Sequence, residues 1–187
     1  MSRKAQYRLV MEMPLQTSRL SIRDWSVDDA DAATSVYGAP EVTQWLTPVM
    51  EQVHDTAAMR SVLQAWGEAQ PNQLPPAGRW AIERHSDRAV IGGLAIRLLP
   101  PYEEDLELSW QLSPDAWGNG YAVEAGRALT EWAFTKDIDE LFAVVRPDNT
   151  RAIATAERIG MSWVGETDKF YDQNLHVYRV RPADLLE

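Results

Sequence analysis

Two hydrophobic periods alternate along the chain, and their order predicts the elements. "LQTSRLSIRDW" (15–25) sets Leu20 and Ile22 against polar neighbours with period two, which predicts a strand. "SVDDADAATSVYG" follows as a helix. Ser26 with Asp29 three positions later has the form of a capping box, and Gly38 is a stop signal. "EQVHDTAAMRSVLQAWG" (51–67) places Met59, Val62, Leu63 and Trp66 on one helical face. "QPNQLPPAG" (70–78) is a proline-rich loop, too short and too central to link domains. "RWAIERHSDRAVIGGLAIRLL" (79–99) reads as a hairpin turning near Ser86-Asp87, with Gly92-Gly93 marking a bulge or a close approach of backbone.

The second half continues in the same way. A strand over 105–112 is stopped by Pro114. A helix over 120–136 carries Ala122, Ala125, Leu129, Trp132 and Ala133 on its apolar face. "ELFAVVR" (140–146) reads as a buried strand, and "DNTRAIATAERIG" (148–160) as a helix with an Asp/Asn start and a glycine end. "MSWVGETDKFYD" and "LHVYRV" close the chain as a second hairpin. The order is strand, two helices, three strands, helix, strand, helix, two strands. It predicts an α/β domain on a mixed, mostly antiparallel sheet, formed by the 187 residues as one unit.

Composition narrows the function classes. The chain has no cysteine, which excludes disulfides, thiolate metal sites and a cysteine nucleophile. A net charge of −10 argues against binding to nucleic acid or anionic membrane, and at long range favours cationic partners. The basic start, with Arg3, Lys4 and Arg8, lacks the apolar core of a secretory signal, and no run is long enough to span a bilayer, so a cytoplasmic location is expected. His54, His85 and His176 have no metal-ligand spacing, and no metal is expected.

The most informative stretch is "SPDAWGNGYAVEAGRAL" (113–129). Gly118 and Gly120 let backbone approach a ligand, and the helix behind them opens with unpaired amides and a partial positive charge. That combination suits an anion, phosphate above all. The competing reading is a turn that merely needs glycine. A Walker loop fits poorly, because no lysine lies between Lys4 and Lys136. A dinucleotide fingerprint fits poorly, since Val123 stands where a small residue is needed.

This segment resembles the acetyl-CoA motif of the GNAT N-acetyltransferases, with Trp117, Gly118, Asn119, Gly120, Tyr121 and Ala122 in its six positions. The "W-G-x-G-Y-A-x-E-A" form is similar to the RimJ/RimL-like branch, with Trp117 in place of the commoner Gln or Arg. "RPDNTRAIATAERIGM" resembles a second family helix through Pro147, Asn149, Ala152, Glu157, Gly160 and Met161. "LQTSRLSIRDW" resembles the family's opening strand, so the likeness runs over about 15–180. It implies the GNAT fold: a mixed, mostly antiparallel twisted sheet of about seven strands with flanking helices, its central strands splayed at the acetyl-CoA site. It implies an acyl-CoA-dependent N-acetyltransferase that uses acetyl-CoA as cosubstrate, with a small-molecule or peptide amine as acceptor. A monomer or homodimer is expected. A non-catalytic acyl-CoA sensor or scaffold is the alternative.

Site residues follow from the resemblance. The amides of 118–123, ending at Val123, would cradle the diphosphate of coenzyme A, and backbone at Gln111, Leu112 and Ser113 would pair with the pantetheine arm. Arg127 and Arg151 would add positive charge, or are ordinary solvated arginines. Asn149 would hold an amide or carbonyl of the arm, or cap the helix that starts at Thr150. Glu107 is the candidate general base, against a reading as part of the acidic run Glu103, Glu104 and Asp105. Relatives often carry an acid where Ala152 and Ala156 stand. Tyr121, Tyr171 and Tyr178 are the alternatives for that role. Trp45, Trp80 and Trp110 are pocket candidates, and the Trp45 region, the 70–78 loop and the final hairpin are expected to shape the acceptor pocket.

Overall fold

In the computed structural model, residues 13–46 and 48–186 are described; the basic N-terminal stretch lies outside them. Eight strands form one sheet in the order β1-β2-β3-β4-β5-β6-β8-β7. They are β1 (Leu15–Gln16), β2 (Leu20–Asp24), β3 (Gly78–Arg84), β4 (Val90–Leu98), β5 (Leu106–Leu112), β6 (Leu141–Val145), β7 (Ser162–Thr167) and β8 (Leu175–Val180). Five α-helices flank the sheet: α1 (Ala30–Tyr37), α2 (Pro40–Thr43), α3 (Thr56–Ala69), α4 (Tyr121–Phe134) and α5 (Thr150–Ile159).

The strand expected over 15–25 divides in two, which gives eight strands instead of about seven. The Thr17 amide bonds the Leu20 carbonyl at 2.9 Å, and its hydroxyl accepts from the Leu20 amide at 3.0 Å. That local turn folds β1 back on β2. The capping box forms as expected, with Ser26 and Asp29 serving each other's backbone. The long helix starts later than its apolar pattern suggests. Asp55 accepts from the Ala58 amide at 2.8 Å and fixes the start at Thr56.

Strand alternation gives the sheet two unlike faces. Leu20, Ile22, Trp80, Ile82, Leu94, Ile96 and Leu108 lie on one face and form the main core with Leu129, Trp132 and Ile159 of α4 and α5. Trp80 meets Trp132 edge to face at 5.3 Å, so it belongs to this core. Truncating a leucine there, such as Leu129, costs about 2–5 kcal/mol.

The opposite face is small and polar. Arg79 pairs with Ala95, Ala95 with Ser109, Arg97 with Glu107, and Gly93 with Gln111. Helices α1 and α3 cover part of it through a second cluster built on Trp25, Tyr37, Met59 and Leu63. Gly93 permits this approach: a Cβ there would stand 2.5 Å from the Tyr37 hydroxyl. Of the two readings of Gly92-Gly93, both glycines show the close approach, and the bulge lies one step away, where the register slips between Ile82 and Glu83 and leaves Ile91 unmatched.

Strands β2 to β5 are antiparallel neighbours throughout, but β5 and β6 are parallel and pair only at Glu107–Phe142. Beyond that pair the two strands part. No helix among the described residues is long and apolar enough to cross a membrane.

Candidate active site

The parting of β5 from β6 opens a cleft of about 360 Å³, floored by the two strands and walled by the starts of α4 and α5. Ladder geometry decides which backbone groups face it. The Ser113 amide bonds the Ile91 carbonyl and the Leu99 amide bonds the Asp105 carbonyl, both at the ladder's register, so odd residues of β5 turn their backbone to β4. Even residues, Trp110 and Leu112 among them, turn theirs to the gap. Ser113 stands outside the cleft, and Gln111 reaches it with its side chain. Alternation in the sequence cannot reveal this parity; the bond from Ser113 to Ile91 does.

The glycine loop forms one end of the cleft. Gly118 and Gly120 hold φ of +78° and +76°, a left-handed conformation that a side chain would strain. Gly120 is the N-cap of α4, and no side chain caps it. The first helical bond runs from the Glu124 amide to the Gly120 carbonyl at 3.0 Å. The amides of Gly118 to Val123 therefore have no acceptor among the described residues. Helices α3 and α5, by contrast, are capped by Asp55 and Asn149.

The loop is held from outside. Asn119 donates from Nδ2 to the carbonyls of Ala116 and Trp117 at 3.2 and 2.9 Å, so its side chain braces the turn and does not line the cleft. Arg19 donates to the Asn119 carbonyl at 3.0 Å, pairs with Glu124, and covers the Tyr121 ring at 4.6 Å. Glu124 also accepts from the Thr17 and Ser18 hydroxyls and the Arg19 amide. Burial pushes the Glu124 carboxyl up, but these donors outweigh it and hold it below its ordinary range. The "T-S-R-L" turn before β2 thus fastens the start of α4.

Opposite the loop, Trp117 donates from Nε1 to the Leu112 carbonyl at 2.9 Å and carries the Arg151 guanidinium 3.7 Å above its ring. Arg151 lines the cleft; Arg127 does not. Asn149 caps α5, accepting from the Ala152 amide at 3.1 Å through Oδ1. This leaves its Nδ2 a donor at the cleft wall, so capping and ligand contact do not compete.

Glu107 sits where the strands part, 4% exposed. It is not part of the exposed acidic run before it. Arg97 donates from Nε to Glu107 Oε2 at 2.8 Å, and the Tyr171 hydroxyl donates to the same oxygen at 3.1 Å. Oε1 carries no hydrogen bond among the described residues. Burial, then the Glu107 charge, pushes Tyr171 up to about 12, so it keeps its proton at neutral pH. Burial pulls Arg97 down, but Glu107 outweighs it and the guanidinium ends above its ordinary value. Tyr178 is buried on β8, and Ala156 is buried in the core. Of the three candidate tyrosines, Tyr171 is the one bonded to Glu107.

A second cavity of about 440 Å³ lies on the polar sheet face beneath α1 and α3. Tyr37, Trp66 and Arg79 line it, and it meets the first at Arg97, Ser109 and Gln111. The 70–78 loop lines neither cavity, whereas Trp45 and Trp110 line the first. Arg79 and Arg97 escaped the sequence reading; polar positions at 107, 109 and 111 on one face of β5 were the available signal.

Comparison with known proteins agrees with this architecture. The model of the acetyltransferase (GNAT) domain matches residues 19–162, and the chain belongs to that family, as an acyl-CoA-dependent acetyltransferase. The N-acetyltransferase p20 of Bacillus licheniformis is 29% identical over 144 residues, 74% of this chain and 76% of its own. An acetyltransferase from Agrobacterium tumefaciens superposes with a TM-score of 0.71 at 27% identity, covering 94% of this chain and 99% of that one. RimL, a ribosomal L7/L12 alpha-N-protein acetyltransferase solved with coenzyme A, shares the fold at 16% identity and a TM-score of 0.72, over 91% and 98% of the two chains.

Proposed function

We propose that the protein transfers acetyl from acetyl-CoA to a primary amine of a small molecule or protein N-terminus, by direct attack in a ternary complex. The observation that carries this reading is the row of acceptorless amides from Gly118 to Val123, opening onto a gap that ends at Glu107. Those amides would hold the diphosphate, with Arg151 adding charge. Trp110 and Leu112 would pair with the pantetheine arm through their gap-facing backbone, and the Asn149 amide would hold one of its carbonyls.

Bound acetyl-CoA supplies an activated acetyl group: the amine forms an N–C bond as the C–S bond breaks. Glu107 presents Oε1 to take the amine's proton, directly or through one water. Arg97 supplies that carboxylate's counter-charge and fixes its orientation through Oε2. Tyr171, protonated and held against Glu107, is placed to return a proton to sulfur. The acceptor enters by the second cavity and meets the first at Ser109 and Gln111.

Release of coenzyme A from acetyl-CoA over a mixed amine panel tests the reading. Turnover of at least one amine, lost in Glu107→Gln with acetyl-CoA affinity retained, supports it. Tight acetyl-CoA binding with silence across the panel returns the protein to the class of acyl-CoA sensors.

A further inference from the structure

The second cavity contains a cation that no group among the described residues neutralises. Arg79 stands on β3 beneath α1 and α3, and no carboxylate lies within ion-pair distance of it among the described residues. Its neighbour Arg97 is neutralised by Glu107. Glu51 and Asp55 stand at the exposed rim, and Asp55 is occupied in capping α3. Trp66 lies 5.2 Å from the Arg79 guanidinium, and Arg79 lines the cavity with no side-chain hydrogen bond among the described residues. Burial, then the charge of Arg97, holds Arg79 below its ordinary range. A guanidinium kept in this setting calls for a counter-charge that none of the described residues supplies.

Position gives the partner's size. Arg79, Ala95 and Ser109 are cross-strand neighbours on one face, so Arg79 lies two strands, about 10 Å of backbone, from Ser109. Ser109 marks the junction with the first cavity. A ligand with one end at Arg79 and the other at the junction is compact.

We propose that the acceptor is a compact amine that carries an oxyanion, carboxylate or phosphate, which Arg79 binds by its fork of N–H donors while the amine reaches the junction beside Glu107. This rests on the acetyl-transfer reading and narrows its acceptor. It also qualifies the inference from net charge: the −10 surface favours cations at a distance, but the inner wall of the chamber presents the positive charge of Arg79.

The test reads Arg79 directly. In 15N-labelled full-length protein saturated with coenzyme A, the Arg79 Nε–Hε cross-peak is the one missing from both Arg79→Gln and Arg79→Lys, so either variant alone assigns it. Acetate and inorganic phosphate are titrated separately. A saturable shift of that cross-peak is expected, and the anion with the stronger effect separates carboxylate from phosphate. No shift with either anion overturns the proposal.

Kinetics with matched pairs, an amino acid against its amide and phosphoethanolamine against ethanolamine, give a second arm. Wild type should prefer the anionic member of one pair by about 30-fold in kcat/KM, and Arg79→Gln should reduce that preference to about threefold or less with the KM for acetyl-CoA unchanged. Equal use of both members by wild type, or a preference that survives Arg79→Gln, contradicts it. Failure of coenzyme A to bind would sink the acetyl-transfer reading, whereas the anion titration still decides the role of Arg79.

Discussion

The cleft at α4 and the chamber beneath α1 and α3 share the wall of β5 yet are built from different material. The cleft presents main chain: unbonded amides at a helix start and the gap-facing edge of a strand. The chamber presents side chains: Arg79, Trp66 and Tyr37 from three separate elements. Main-chain groups survive every substitution except proline, which removes the N–H; side chains can be deleted singly. The same coenzyme can therefore be held by many sequences with this loop, while the acceptor is selected residue by residue.

Glu107, at the junction, should show the largest effect. Glu107→Gln should lower kcat by about 100-fold or more without changing acetyl-CoA affinity, measured by steady-state kinetics and calorimetry. Glu107→Ala is a poorer test, because it removes the acceptor of both Arg97 and Tyr171 along with the charge, where Gln keeps an oxygen there, and it should cost about 3–5 kcal/mol of stability. A normal kcat in Glu107→Gln would remove it from catalysis.

Gly120→Val asks whether the cleft fails independently of the chamber. A β-branched residue at φ +76° is strained, so the loop must move. Acetyl-CoA should bind about tenfold more weakly or worse by calorimetry, with the KM for the amine nearly unchanged. Equal loss on both sides would show that the two cavities are not separable.

Tyr171 gives a pH signature. Its hydroxyl ionises near 10 in the unfolded chain and at about 12 in the fold. Its contribution to stability is therefore complete below pH 10 and lost as pH rises from 10 through 12. Tyr171→Phe should flatten that part of the alkaline unfolding curve; an unchanged curve would argue against the buried Glu107 contact.

Arg151→Ala should have the smallest effect, a loss of about threefold in acetyl-CoA affinity at low salt that fades toward physiological ionic strength. A salt-independent loss would mean that Arg151 acts by packing on Trp117.

The same division explains what the sequence disclosed. A loop that binds through backbone leaves a local trace, because Gly118, Gly120 and the small residues of the first turn must be adjacent in the chain. The element order was legible for a like reason, since period and caps are local, except for α2, whose four residues are too few to show a period. The break at Thr17 was not, because it depends on one hydroxyl bonding the Leu20 amide. Nor was the chamber. Arg79 looks like the polar first turn of a hairpin and Arg97 like the solvated position of a strand, until the register sets both on one face. Asn149 shows the intermediate case: its two readings used different atoms of one side chain.

The central claim is that the amides from Gly118 to Val123 grip the diphosphate of acetyl-CoA. Hydrogen exchange, resolved to single amides and measured with and without saturating acetyl-CoA, tests it most directly. Exchange at these amides should slow markedly on binding, while the first-turn amides of α3, whose residues line no part of the cleft, keep their rates. Binding confirmed by calorimetry with unchanged exchange across 118–123 would contradict the account.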